Sequence, residues 1–143
     1  MTTTRQPNGG PARKAIVCNL QNENYSPNAL LLGYTIRKHH PNLTQDATDT
    51  ILLIPHEHDI TPKTLSRLEE VGWKIRKGAE VIVPGMENLQ SNYQRNFMKL
   101  RIWSWIEYSK IAVVDADCLC MGDISLLLSN KFGIFHAFEF CIT

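Results

Sequence analysis

Short apolar runs alternate along this chain with segments that open on a capping residue followed by proline, and that alternation decides the fold class. Lys14-Leu20 (KAIVCNL) is a mostly apolar run suited to a strand buried on both faces. After a polar turn, Gln21 to Tyr25, the pair Ser26-Pro27 supplies an N-cap and a proline at the first helical position. The helix it opens reads ALLLGYTIRKHH, with basic residues and His39-His40 where the helix dipole favours positive charge, and Pro41 stops it. The unit then recurs. Thr50-Ile54 (TILLI) is a second buried strand closed by Pro55. Thr61-Pro62 opens a second helix with Leu65, Leu68 and Val71 at helical spacing, ended by Gly72. A third strand is expected at Glu80-Val83 (EVIV), a third helix from about Asn96 to Tyr108, and a fourth strand at Lys110-Val114 (KIAVV).

Strands and helices in this order predict an α/β protein with a parallel, doubly wound sheet. In such sheets ligands lie beyond the carboxyl ends of the strands. Here those ends are Gln21-Tyr25 and Asp115-Asp117. Residues 1–13, rich in Thr, Pro, Asn and Gly, read as a flexible tail, and residues 14–143 as one domain. Fifteen basic against fourteen acidic residues give a net charge of +1, which excludes broad electrostatic binding to nucleic acid. The longest apolar stretches, Ala29-Leu32 and Ile111-Val114, fall far short of the roughly 20 residues a membrane span needs. With no apolar segment in the first residues and four cysteines read as reduced thiols, the expected compartment is the cytoplasm.

The sharpest chemical feature is Asp115-Ala116-Asp117, placed directly after the apolar strand Ile111-Val114. In extended backbone, residues i and i+2 point the same way, so both carboxylates can address one ligand. Close carboxylates repel, and a divalent cation with a preference for hard oxygen donors, Mg²⁺ or Mn²⁺, removes that conflict. Ala116 between them is small enough to let a phosphate or sugar approach the backbone. An acidic strand end that simply reaches water has the same sequence, and a D-x-D spacing alone does not decide between the two.

The surrounding sequence adds a resemblance. Phe97 to Leu119 (FMKLRIWSWIEYSKIAVVDADCL) resembles the K-L-x-x-W, Y-x-K and D-A-D-x-L signature of glycosyltransferase family 8, which includes the glycogenins and galactinol synthases. Asn22, Tyr25 and Ala29-Gly33 resemble that family's first nucleotide-binding turn and the A-L-x-L-G helix after it, and Asp123-Leu127 the stretch after its metal motif. The resemblance implies a Rossmann-like GT-A fold, a UDP-sugar donor, retention at the anomeric carbon and assistance by Mn²⁺ (or Mg²⁺). Transferred residue by residue, it implies that Asp115 and Asp117 hold the metal, with Asp115 also near the ribose. It places Tyr25 on the uracil with Asn22 beside it, the Ala116 backbone against the ribose, and Lys99 at the donor sugar or diphosphate as a catalytic charge. Asn19, Leu20 and Gln21 stand where the family has small and hydroxyl residues, and Arg95 is the candidate for the arginine usual ahead of the lysine.

The family's later Asn-x-Gly and H-x-x-G-x-x-K-P-W motifs do not occur in the sequence. The chain is therefore expected to be a donor-binding half, incomplete at its C-terminus, with an apolar end from Phe132 to Thr143 and impaired activity. The acceptor is open: a protein tyrosine, a polyol or a glycan. A non-catalytic remnant that binds a nucleotide sugar, or dimerises through an exposed sheet as a homo-oligomer, is the alternative. A phosphatase built on the D-A-D nucleophile fits poorly, since that motif belongs near the start of its fold. Elsewhere, His56-Glu57-His58-Asp59 reads as a loop rather than a metal site, Cys118 and Cys120 as core or near-core thiols, and His136 as a strand residue. Trp103 and Trp105 read as core aromatics of the third helix, with Trp103 sharing the side of Lys99.

Overall fold

A computed structural model describes residues 13–79, 81–86 and 96–129. Four parallel strands, β1 (Lys14–Asn19), β2 (Thr48–Pro55), β3 (Lys74–Gly78) and β4 (Lys110–Val114), form one sheet in the order β3-β2-β1-β4. Helix α1 (Ser26–His39) joins β1 to β2, and α2 (Pro62–Glu70) joins β2 to β3. The chain leaves β1 towards β2 on one side and returns to β4 on the other. The sheet therefore reverses its winding between β1 and β4, the place where α/β sheets open a crevice for ligands.

β1 and β2 carry apolar residues on both faces because both faces are covered. On one, Ile16, Cys18, Leu20, Leu52 and Ile54 pack with Ala29, Leu32 and Ile36 of α1, with Leu68 of α2 and with Trp73. On the other, Ala15, Val17, Ile51, Leu53 and Ile111 pack with Met98, Ile102 and Trp105. Each fully buried Leu or Ile contributes about 1.5–3 kcal/mol relative to exposure. The Trp73 indole crosses α1 at Gly33 and donates from Nε1 to the Ala29 carbonyl at 2.8 Å, so the helix can sit this close only where it lacks a Cβ. At the amino ends of the strands Asp49 accepts hydrogen bonds from Arg13, Lys74 and the Tyr108 hydroxyl, the last at 2.8 Å.

α1 and α2 form where their prolines predict. Thr61 caps α2 by accepting the Thr64 amide, and Gly72, with φ of 110°, turns the chain out of it. Ser26 is the first helical residue rather than the cap, and its hydroxyl donates to the Glu23 carbonyl.

The third strand differs from expectation. It is Lys74–Gly78 (KIRKG), not Glu80-Val83; Val81 to Val83 form no strand, Ile82 is 82% exposed, and Glu80 lies outside the described residues. The register explains this. β3 pairs with β2 from Ile51↔Lys74 to Pro55↔Gly78, so β2 has ended before residue 80 is reached. An edge strand accepts charge, and Arg76 uses it: its guanidinium lies 3.8 Å from the Trp105 ring centroid and donates to Glu107 at 2.6 Å.

The third helix also differs. Phe97–Ser104 is a 3-10 helix that buries Met98 and Ile102 and leaves Trp103 67% exposed. Trp105, just past its end, is the core aromatic. The tail up to residue 12, Arg95, His136, Cys141 and the apolar segment Phe132 to Thr143 lie outside the described residues.

Candidate functional site

At the carboxyl ends of β1 and β4 a polar cleft of about 450 Å³ is lined by Asn19, Gln21, Asn22, Tyr25, Asn96, Lys99, Asp115, Ala116 and Asp117. The six residues singled out from the sequence, Asn22, Tyr25, Lys99, Asp115, Ala116 and Asp117, thus line one surface. They come from three places: the loop after β1, the 3-10 helix Phe97–Ser104, and the turn after β4. An apolar cavity of about 230 Å³ lies apart, among Leu32, Ile36, Ala112 and Val114, and offers hydrophobic packing rather than phosphate chemistry.

The loop after β1 is held by short-range bonds that follow from its sequence. The Asn22 side chain accepts the Asn24 amide at 3.0 Å and caps the single 3-10 turn Glu23–Tyr25. Glu23 anchors that turn to the start of α2. Its carboxylate accepts the Thr61 amide at 3.1 Å and the Thr64 hydroxyl at 2.5 Å, and its own amide donates to Asp59 at 3.0 Å. A carboxylate at a helix N-terminus is favoured by the dipole. Asp59, from the His56-Asp59 stretch, therefore bonds to the loop beside the cleft. The result is that Tyr25 stands on a braced turn with its ring half exposed.

The turn after β4 is braced from the other side. The Cys118 amide donates to the Asp115 carbonyl at 3.1 Å, closing a turn around Ala116 and Asp117. Beyond it, the Cys120 amide donates to Thr35 Oγ1 at 3.1 Å and the Ile124 amide donates to His40 Nε2 at 3.0 Å. His40 caps α1, as its place in the sequence suggests, and through this bond it also holds the segment that follows the acidic pair. Burial pushes the Cys18 thiol, on the strand next to Asp115, far above its ordinary range, so it stays neutral beneath the site.

Lys99 Nζ donates to Asp115 Oδ1 at 2.6 Å, and both side chains remain partly exposed. Asp117 is exposed and has no hydrogen-bond or ion-pair partner among the described residues. Among these residues no group of three or more His, Cys, Asp or Glu is placed to hold a metal ion. Two hard oxygen donors do suit an ion of the Mg²⁺ or Mn²⁺ kind, which commonly uses one or two protein carboxylates and completes its shell with phosphate and water. Gln21, Asn96 and Asn19 complete the wall and were not picked out as site residues from the sequence. The Gln21 amide donates to the Asn96 side chain, joining the β1 loop to the 3-10 helix, a contact between residues too distant in sequence for any motif to show.

The chain is similar in sequence and in fold to known proteins. A UDP-glucuronate:xylan alpha-glucuronosyltransferase of Arabidopsis thaliana is 30% identical over 118 residues, which is 82% of this chain and 18% of that protein. A galactinol synthase of Ajuga reptans is 33% identical over 85 residues, 58% of this chain and 29% of that protein. Over most of its length the chain is thus similar to part of such glycosyltransferases. The crystal structure of the galactosyltransferase LgtC with donor and acceptor sugar analogues superposes with a TM-score of 0.57 at 14% identity, covering 83% of this chain and 43% of that one. The fold is accordingly the α/β GT-A glycosyltransferase fold. No protein-family profile matches the chain. The chain spans less than a third of the length of either curated relative. No helix among the described residues is long and apolar enough to cross a membrane.

Proposed function

We propose that the cleft is the donor site of a retaining, UDP-sugar-dependent glycosyltransferase that works with Mn²⁺ or Mg²⁺. The supporting observation is the convergence of Asp115, Asp117, Lys99, Asn22 and Tyr25 on one polar cleft at the winding reversal of the sheet. In this reading the exposed Tyr25 ring stacks on the uracil, with Asn22 fixing the turn that carries it. The backbone at Ala116 faces the ribose, where a larger side chain would intrude. Asp115 and Asp117 hold the divalent cation, which when bound neutralises charge on the diphosphate.

Transfer breaks the bond between the anomeric carbon and the β-phosphate oxygen, and that oxygen gains negative charge. Lys99 supplies a positive charge within reach of it once its ammonium swings from Asp115 to phosphate. An acceptor hydroxyl, from a protein tyrosine, a polyol or a glycan, forms the new glycosidic bond and gives up its proton to the departing diphosphate. One relative is named for a UDP-glucuronate donor and a xylan acceptor, and another for the synthesis of galactinol.

Calorimetric titration with UDP in the presence of Mn²⁺ tests the reading. Binding that weakens on chelation of Mn²⁺ and in Asp115→Asn supports it. UDP binding no better than that of inorganic diphosphate, or indifferent to both changes, would overturn it.

A further inference from the structure

Asn19 is the last residue of β1, and the register Cys18↔Val114 places it level with Asp115. Strand alternation turns its side chain away from the face of Cys18 and Leu20, to the side of Val17, Leu53 and Met98. It lines the polar cleft, yet the residue is only 7% exposed. Neither its Nδ2 nor its Oδ1 has a hydrogen-bond partner among the described residues. A buried carboxamide with both ends unpaired is costly, and native structures rarely leave one so without a reason. Its neighbours on the cleft wall are engaged: Gln21 with Asn96, and Asn22 with the Asn24 amide.

The pattern of unmet bonds favours one kind of ligand edge. Nδ2 needs an acceptor and Oδ1 needs a donor, side by side in one plane. Phosphate oxygens only accept, so they cannot satisfy Oδ1, and Lys99 is the group beside Asp115 suited to them. A flat edge with an N–H next to a carbonyl satisfies both ends, and the imide of a pyrimidine base is such an edge. We propose that Asn19 determines nucleobase recognition: its carboxamide makes a two-point hydrogen bond to uracil, Nδ2 donating to a ring carbonyl while the ring N3–H donates to Oδ1. This rests on the UDP-sugar reading of the cleft and adds a residue that the resemblance does not assign.

The test is calorimetry on the full chain with Mn²⁺, using UDP and ribose 5-diphosphate, the same diphosphate without a base. Replacing Asn19 by Leu, close in volume and apolar, is expected to weaken UDP by about tenfold or more while sparing ribose 5-diphosphate. The melting temperature of the ligand-free Asn19→Leu chain should be equal or higher, because an unpaired amide is gone. Unchanged UDP affinity, or equal losses for both probes, would overturn the proposal. The latter would mean that Asn19 supports the cleft or meets the sugar-phosphate instead. N3-methyl-UDP gives an independent answer on the unsubstituted chain: about tenfold weaker binding than UDP is expected, and equal affinity contradicts the two-point contact. Failure of the wild-type chain to bind UDP at all would instead sink the donor-site reading, and this inference with it.

Discussion

Lys99 and Asp115 meet at 2.6 Å across the mouth of the cleft, one from a 3-10 helix and the other from the end of β4. Both are partly exposed, so the pair adds little to folding, in the range of about 0–1 kcal/mol. Its meaning is better sought in ligand binding, where the ammonium occupies the carboxylate that a cation would need. Lys99→Ala is therefore expected to leave the melting temperature nearly unchanged and to weaken UDP by about tenfold. Calorimetry beside a thermal melt checks both halves. A large loss of stability with intact UDP affinity would make Lys99 a structural residue.

Asp117 is exposed beside the pair and is not engaged by the described residues. Asp117→Asn should leave the ligand-free protein as stable as before, since exposed substitutions away from packed features usually stay within about 0.5 kcal/mol. It should abolish the gain in UDP affinity that Mn²⁺ confers. Titrations with and without the metal read this directly, and an undiminished gain would remove Asp117 from the metal site.

The contact of Trp73 with Gly33 predicts a stability effect far from the cleft. A Cβ at Gly33 would collide with the indole and with Val71, and the indole cannot retreat because it is buried and bonded to Ala29. Gly33→Ala is expected to cost about 1–3 kcal/mol by overpacking, measured by denaturant unfolding. In a Trp73→Phe background the same substitution should cost less, and the cycle isolates the contact. Equal costs in both backgrounds would contradict it.

The Asp49 cluster makes stability depend on pH at both extremes. Burial alone would raise the Asp49 carboxyl, but hydrogen bonds from Lys74, Tyr108 and Arg13 outweigh it and hold the group below its usual 3.8. Its contribution is thus present above that value and is lost as pH falls through the lower folded value. Burial, and then the bond to Asp49, pushes the Tyr108 hydroxyl from 10.0 up to about 12. That contribution is complete below pH 10.0 and disappears as pH rises to about 12. Asp49→Asn should flatten the acid limb of a stability–pH curve and Tyr108→Phe the alkaline limb. Limbs with unchanged slopes would show that the cluster is not the cause.

Elements whose limits are set by local chemistry could be read from the sequence. Pro27 and Pro62 mark helix starts, Gly72 a stop, and the buried runs of β1, β2 and β4 their strands. β3 could not be placed that way, because its position is fixed by where β2 ends at Pro55, and its charged residues reflect an edge against Trp105 and Glu107. Apolar runs such as Val81-Val83 mislead when no partner strand is left. The acidic pair was legible because it directly follows the buried run of β4, although a turn closed by the Cys118 amide, and not the strand alternation expected from the sequence, carries Asp117. Asn19 was visible only as an unusual residue in the first turn; that its amide is buried and unpaired follows from the folded surroundings of the β1 end and has no signal in the sequence.

Thermal unfolding of the chain with Mn²⁺, with UDP, and with both together tests the central claim most directly. A ligand at 100 times its Kd stabilises a folded site by about 2.7 kcal/mol, a shift of several degrees in a domain of this size. The donor-site account predicts a shift that needs UDP and Mn²⁺ together and that vanishes in Asp117→Asn. A cooperative transition at the same temperature under all conditions would contradict it.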